Sequence, residues 1–292
     1  MTIRWTYAFI DRPARLAPVA EEFWTAVTDT RLSPRRGEFV TLLPADGADP
    51  CVKVQGVGSG PGGAHLDFAV DDVDGFIASA RRAGTRTVAR HEGWAVLRSP
   101  AGQLFCAVPW HGESVRPPVV RGSRLDQVCV DVPPSSYDAE VAFWSGLPAG
   151  WSSRPGSLPE FHVVEPPPGG PVRVLLQRLG TEQPLTAHLD VACADIAATR
   201  AAHERLGGHG RLARRPLVGA ARPGGRHVLP DRPGPGDGRA AYSRVTMQAW
   251  SCRPSSVGSG VGGRHAVSPS GRSSGAGVDL SQRFGPVGSA DS

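Results

Sequence analysis

The sequence lacks most features that would assign a chain quickly. Its 292 residues contain no run of eighteen apolar residues, so no membrane span is expected. The opening MTIRWTYAFIDRP has no basic, apolar and small-residue sections in the order of a signal peptide. The five cysteines, Cys51, Cys106, Cys129, Cys193 and Cys252, are scattered and form no C-x-x-C pair. That excludes a zinc knuckle or a disulfide framework, and isolated thiols suit a reducing compartment, so a cytoplasmic location is expected. There is no H-E-x-x-H or phosphate-loop motif. Gly58 to Gly63 is glycine-rich, but no helix pattern follows it, so it reads as a loop.

A net charge of +5 invites a nucleic-acid reading, but the charge is unevenly placed. From Gly207 onward there are 12 Arg and 4 Asp. The preceding residues then hold 20 basic and 23 acidic side chains and are mildly acidic. A phosphate-tracking surface is not expected on that part, and no nucleic-acid or membrane partner is expected.

What the chain does have is an internal repeat. Arg4-Trp5-Thr6-Tyr7 opens one half and Arg124-Leu125-Asp126-Gln127 opens the other. Phe23-Trp24 returns as Phe143-Trp144, Glu38-Phe39 as Glu160-Phe161, and Gln55 as Gln177. Ala64-His65-Leu66-Asp67 returns as Ala187-His188-Leu189-Asp190, Asp72 as Asp195, and Gly84 as Gly207. So many matches in one order mean a duplicated unit. The boundaries read as residues 1–115, a linker at 116–122, a second copy at 123–206 and a tail at 207–292.

The spacing predicts a strand at Trp5–Ile10, a helix through Val19–Val27, and strands at Glu38–Leu43 and Val52–Val57. A strand at His65–Val70 leads to Asp72, a good helix cap, and to an apolar stripe of Val73, Phe76, Ile77 and Ala80 at helical spacing. Gly84 stops that helix. Strands at Thr85–Ala89, Trp94–Arg98 and Leu104–Val108 complete the copy, with a turn at Ser99-Pro100-Ala101-Gly102. The order is βαβββ twice in one copy. Phe23-Trp24 and Phe143-Trp144 read as core anchors on their helices.

This order, with the strings AHLDFAVDD, RAGTRTV and WAVLRSPAGQLFCAV, resembles the glyoxalase/bleomycin-resistance/extradiol-dioxygenase (vicinal oxygen chelate) superfamily. The resemblance covers about residues 3–112 and 122–206. It implies an α+β fold of tandem glyoxalase-like domains, each made of paired βαβββ modules in a curved mixed sheet around a cleft. It also implies that ligands project from the first, fourth, fifth and eighth strands of each copy.

Strand alternation supports the cleft independently. Leu66, Phe68 and Val70 share one face, and His65 and Asp67 share the other. In the second copy His188 and Asp190 share the face opposite Leu189, Val191 and Cys193. His65 and His188 are therefore candidate catalytic residues, and Asp67, Asp190 and Cys106 are candidate cleft residues. Carried over by position, the resemblance puts metal ligands at Tyr7, Gln55, His65 and Cys106 in one copy and at Gln127, Gln177 and His188 in the other. The first set has no carboxylate, which a divalent cation wants. The expected cofactor is a divalent metal of unidentified kind in a degenerate site, or none. Cys106 has no neighbouring basic motif and reads as a small buried hydrophobe.

After Leu206 the repeat fails. Back-translating that stretch and stepping forward one nucleotide permits EATVASRGGRWWVLRDPAGGTYCLT, close to the end of the first copy. The expectation is a frame displacement near Leu206-Gly207, an incomplete second sheet with an unpaired edge, and a disordered tail. The functional expectation is a small-molecule-binding protein, with a lyase, isomerase or dioxygenase activity. The rivals are a non-catalytic, drug-sequestering protein of the bleomycin-resistance kind and a frame-disrupted product in which only the first copy works. A homodimer is compatible with either reading.

Overall fold

The computed structural model describes residues 2–45, 47–207 and 243–247. The first copy opens with strand β1 (Ile3–Pro13), helix α1 (Ala17–Thr28), and strands β2 (Arg31–Leu32), β3 (Phe39–Leu43) and β4 (Val52–Val57). It continues with β5 (Gly63–Val70), α2 (Val73–Arg82), β6 (Arg86–His91), β7 (Trp94–Arg98) and β8 (Leu104–Pro109). These eight strands form one sheet in the order β2-β3-β4-β1-β5-β8-β7-β6. The two βαβββ halves meet where β1 runs antiparallel to β5, and each half carries a parallel pair, β1 with β4 and β5 with β8.

Local chemistry accounts for the boundaries. Asp72 accepts a hydrogen bond from the Gly75 N–H and caps α2, while Arg81 and Arg82 lie in its last turn. Gly84 adopts φ +102 just beyond it, a conformation that suits glycine. The α1 helix starts two residues earlier than the apolar spacing predicts because Pro18 is favourable in a first turn.

The second copy repeats the plan with β9 (Ser123–Val132), α3 (Tyr137–Gly146), β10 (Ser152–Pro155), β11 (Phe161–Glu165), β12 (Arg173–Arg178), β13 (Thr186–Cys193) and α4 (Ile196–Arg205). A final strand, β14 (Ser243–Met247), completes a six-stranded sheet in the order β10-β11-β12-β9-β13-β14. The expectation of an unpaired edge beyond β13 is therefore corrected. β14 covers it and runs antiparallel, whereas β8 runs parallel in the corresponding place. A strand edge of unpaired N–H and C=O groups accepts whatever segment reaches it. The rest of the expected tail, and the stretch of the proposed frame displacement, lie outside the described residues.

The copies share one apolar core. Phe68 of β5 meets Trp144 and Trp151 of the second copy, with ring centroids 6.2 and 5.9 Å away. Phe105 of β8 meets Phe143 and Trp144 at 6.0 and 5.3 Å. The repeated Phe-Trp pair is thus a core anchor, and in the second copy it also binds the two copies together. Fully buried Glu140 of α3 adds a polar tie. It accepts from the Trp144 indole N–H at 2.8 Å and from the Ala101 N–H, in the first copy's β7–β8 turn, at 2.8 Å.

Candidate functional site

The side chains opposite the helix-covered faces gather where β1, β4, β5 and β8 lie side by side. Register places Asp11 against Gly63 and Gln55, Phe9 against His65, and Tyr7 and Cys106 on either side of Asp67. The period-2 alternation that aims Leu66 and Phe68 at the core therefore aims His65 and Asp67 at this cluster. The loop before β5 presses closely on it. Gly62 has φ +85, and a Cβ there would lie 2.2 Å from the Asp11 carbonyl oxygen.

His65 sits between two carboxylates. Its Nδ1–H donates to Asp11 Oδ2 at 2.8 Å, and its Nε2 lies 3.6 Å from Asp67 Oδ1. Its ring stacks on Phe9 with centroids 4.2 Å apart. Burial disfavours the imidazolium, but Asp11 and Asp67 outweigh it and raise its pKa. The Cys106 thiol is pushed up by burial and by Asp67. One ligand atom from each of His65, Asp67 and Cys106 falls within 4.8 Å of the others.

The second copy builds the same centre. His188 Nδ1 lies 3.3 Å from Asp131 Oδ2, and Nε2 lies 3.5 Å from Asp190 Oδ1. Burial again disfavours the charge, and Asp131 and Asp190 again raise the pKa. The sulfur differs: Cys129 on β9, at the position of Phe9, groups with Asp131 and His188. Gln127 is turned to support, donating to Asp190 at 2.6 Å and accepting from the Arg173 Nε–H at 3.0 Å. Gln177 accepts from the Cys129 thiol at 3.8 Å.

The positional ligand sets are thus only partly assembled. His65 and Cys106 do come together, joined by Asp67. Tyr7 adjoins them, but its phenol donates to Glu113 at 2.5 Å, and burial and that carboxylate push its pKa up. Gln55 is buried beside Asp11 on the neighbouring strand. The set projected by position has no carboxylate, and Asp67, expected in the cleft, lies beside His65 and Cys106. Sequence reasoning missed Asp11 and Asp131 altogether. The signal was present: they lie 120 residues apart, as do Phe23 and Phe143, and each is two residues beyond Phe9 or Cys129 on the same face. Lys53, the chain's one lysine, was missed too. Its ammonium lies 3.9 Å from the Tyr7 ring centroid and 5.3 Å from that of Phe9, and Leu175 occupies its place in the second copy.

A divalent metal fits these residues. Ligands bonded at roughly 2.0–2.3 Å lie within about 4.6 Å of each other. Buried Asp11 Oδ1, Asp67 Oδ1, Asp131 Oδ1 and His188 Nε2 make no hydrogen bond. Such groups are costly to bury unless something receives them. A nitrogen, oxygen and sulfur set suits a first-row transition metal better than calcium or magnesium.

Comparison with solved structures returns distant likenesses. A xylose isomerase-like TIM barrel/4-hydroxyphenylpyruvate dioxygenase fusion protein aligns at 13% identity and TM-score 0.48, over 70% of this chain and 38% of that one. The Mn(II)-bound glyoxalase from Novosphingobium aromaticivorans aligns at 15% and 0.46, over 64% of each chain. The 2,2',3-trihydroxybiphenyl 1,2-dioxygenase from Sphingomonas wittichii strain RW1 aligns at 13% and 0.49, over 71% of this chain and 80% of that one. No curated protein sequence matches. The glyoxalase-like domain matches twice, at residues 8–108 and 127–234, and the second match runs on past Leu206. These two stretches take in well over half of the sequence, both copies included, and the chain therefore belongs to the glyoxalase-like domain family.

Proposed function

We propose that the chain is a metal-dependent enzyme acting on a small oxygen-bearing molecule, of the lyase, isomerase or dioxygenase type. His65, Asp67 and Cys106 hold one cation, and His188, Asp131 and Cys129 hold another. The observation that carries this reading is the recurrence, at matching strand positions, of a buried histidine between two carboxylates, with a thiol in reach from a different strand in each copy. A cleft that only sequesters a ligand needs no such concentration of ionisable groups away from water.

Each residue has a defined task. Asp11 receives the Nδ1–H of His65, which fixes the ring and leaves Nε2 as the basic nitrogen, whereas Asp131, on the Nδ1 side of His188, would share a cation with that ring. In the first copy Nε2, beside Asp67, would be the atom that holds a cation, and it can accept a proton where none is bound. The thiols, held protonated by burial, lose their protons on binding. A bound cation would polarise a substrate oxygen and lower the pKa of its neighbours. Lys53 adds a fixed positive charge to the first copy's site, which favours an anionic substrate there.

The test is elemental analysis of the full chain after metal-replete purification. About one equivalent per cluster is expected, with one lost in His65→Ala and one in His188→Ala. A metal-free chain that still binds small molecules would replace this reading with the sequestering one.

A further inference from the structure

Away from both clusters, a pocket opens where the two copies and the segment joining them meet. It is open to solvent, and the empty space counted with its mouth is about 510 Å³. Leu42 and Val52 of the first sheet and Leu125 and Val191 of the second form an apolar wall. Among the described residues, Arg116, from the connecting segment, and Arg124, from β9, are the charged side chains that line it, and no acidic side chain does.

Arg116 is poorly satisfied. Its side chain is 26% exposed, and it reaches Asp126 at 3.9 Å. Arg173 holds that same carboxylate more closely, at 2.7 Å. The Arg116 Nε–H is buried without a hydrogen-bond acceptor. Burial and the nearby Arg124 both lower its pKa, which is the electrostatic mark of cations crowded together. The Cys51 thiol in the wall offers no relief, because burial pushes its pKa up to about 12 and keeps it neutral. A guanidinium with an orphaned buried N–H is costly, and its planar fork matches a carboxylate.

We infer that this junction pocket binds a small organic acid, its carboxylate received by Arg116 and Arg124 and its apolar body laid against Leu42, Val52, Leu125 and Val191. The site is separate from the His–Asp clusters. Because both copies and their connection build it, an occupant ties them together.

Isothermal titration of the full chain with hexanoate tests the idea, against hexan-1-ol (the same body without charge) and inorganic phosphate (charge without the body). Hexanoate is expected to bind one to one and at least tenfold more tightly than either. Arg116→Gln and Arg124→Gln are each expected to weaken it at least tenfold while keeping the parent's metal content and circular dichroism. Half-exposed Arg124 carries the decision alone if Arg116→Gln does not fold. Equal binding of hexanol would reduce the pocket to an apolar gap, and equal binding of phosphate would reduce it to an anion patch. Undiminished hexanoate binding in the variants would also overturn the assignment.

Discussion

His65 Nδ1 and Asp11 Oδ2 lie 2.8 Å apart, on antiparallel strands 54 residues apart in sequence, and the pair recurs as His188 and Asp131 at 3.3 Å. Neither aspartate is within the strings that made the repeat conspicuous, yet each lies against the ring of its copy's cluster histidine. Asp11→Asn removes the largest influence raising the His65 pKa, so the His65 titration followed by NMR should move to lower pH. The same variant should lose at least tenfold in metal affinity through the freed imidazole ring. An unmoved His65 titration would refute the pairing.

Lys53 acts on the same imidazole in the opposite sense, because its ammonium disfavours a second positive charge nearby. Lys53→Met should therefore raise the His65 titration midpoint, and Lys53→Arg should leave it close to the parent's. Because the chain has one lysine, trinitrobenzenesulfonate labelling at high pH should modify one side chain in the parent and none in Lys53→Met.

Glu140 joins the copies by accepting from the Trp144 indole and the Ala101 amide. Glu140→Ala leaves the buried Trp144 indole N–H and the partly buried Ala101 N–H without their acceptor. It should cost about 3 kcal/mol in urea unfolding. Phe68→Ala opens a cavity between the same two surfaces and should cost about 3–5 kcal/mol. A change under 1 kcal/mol in both would mean that the shared core contributes little.

His203 of α4 is buried, with its ring edge-on to Phe23 at 5.8 Å and Nδ1 lacking a hydrogen bond. Burial lowers its pKa below the ordinary 6.5. The unfolded chain therefore takes up this proton first as the solution is acidified. Stability supplied by neutral His203 is full above about pH 6.5 and declines as pH falls from there through the folded value. His203→Leu should flatten that part of the stability profile relative to the parent.

The failure of the repeat after Leu206 calls for a nucleotide-level measurement. Sequencing the gene and transcript around the Leu206 and Gly207 codons should reveal a one-base difference from the frame that reads WWVLRDPAGG. If no single-base change restores those residues, the break belongs to the protein as encoded.

Much of the architecture was legible because strand and helix periods are local. Alternation at His65–Val70 and Ala187–Cys193 placed histidine and aspartate on one face, and Asp72 and Gly84 marked the ends of α2. Duplication supplied a second reading of each element and so the family. The composition of the cluster depended on register between strands far apart in sequence. Asp11 reaches His65 because β1 runs antiparallel to β5, and Cys106 reaches Asp67 because β8 runs parallel to it. Residue spacing carries no record of which strands become neighbours, so a metal set projected strand by strand had no carboxylate while the folded sheets bring two to each histidine. The sharing of one core between the copies, the covering of β13 by β14 and the junction pocket of Arg116 and Arg124 were likewise decided by packing, which selects among distant segments by shape and buried area.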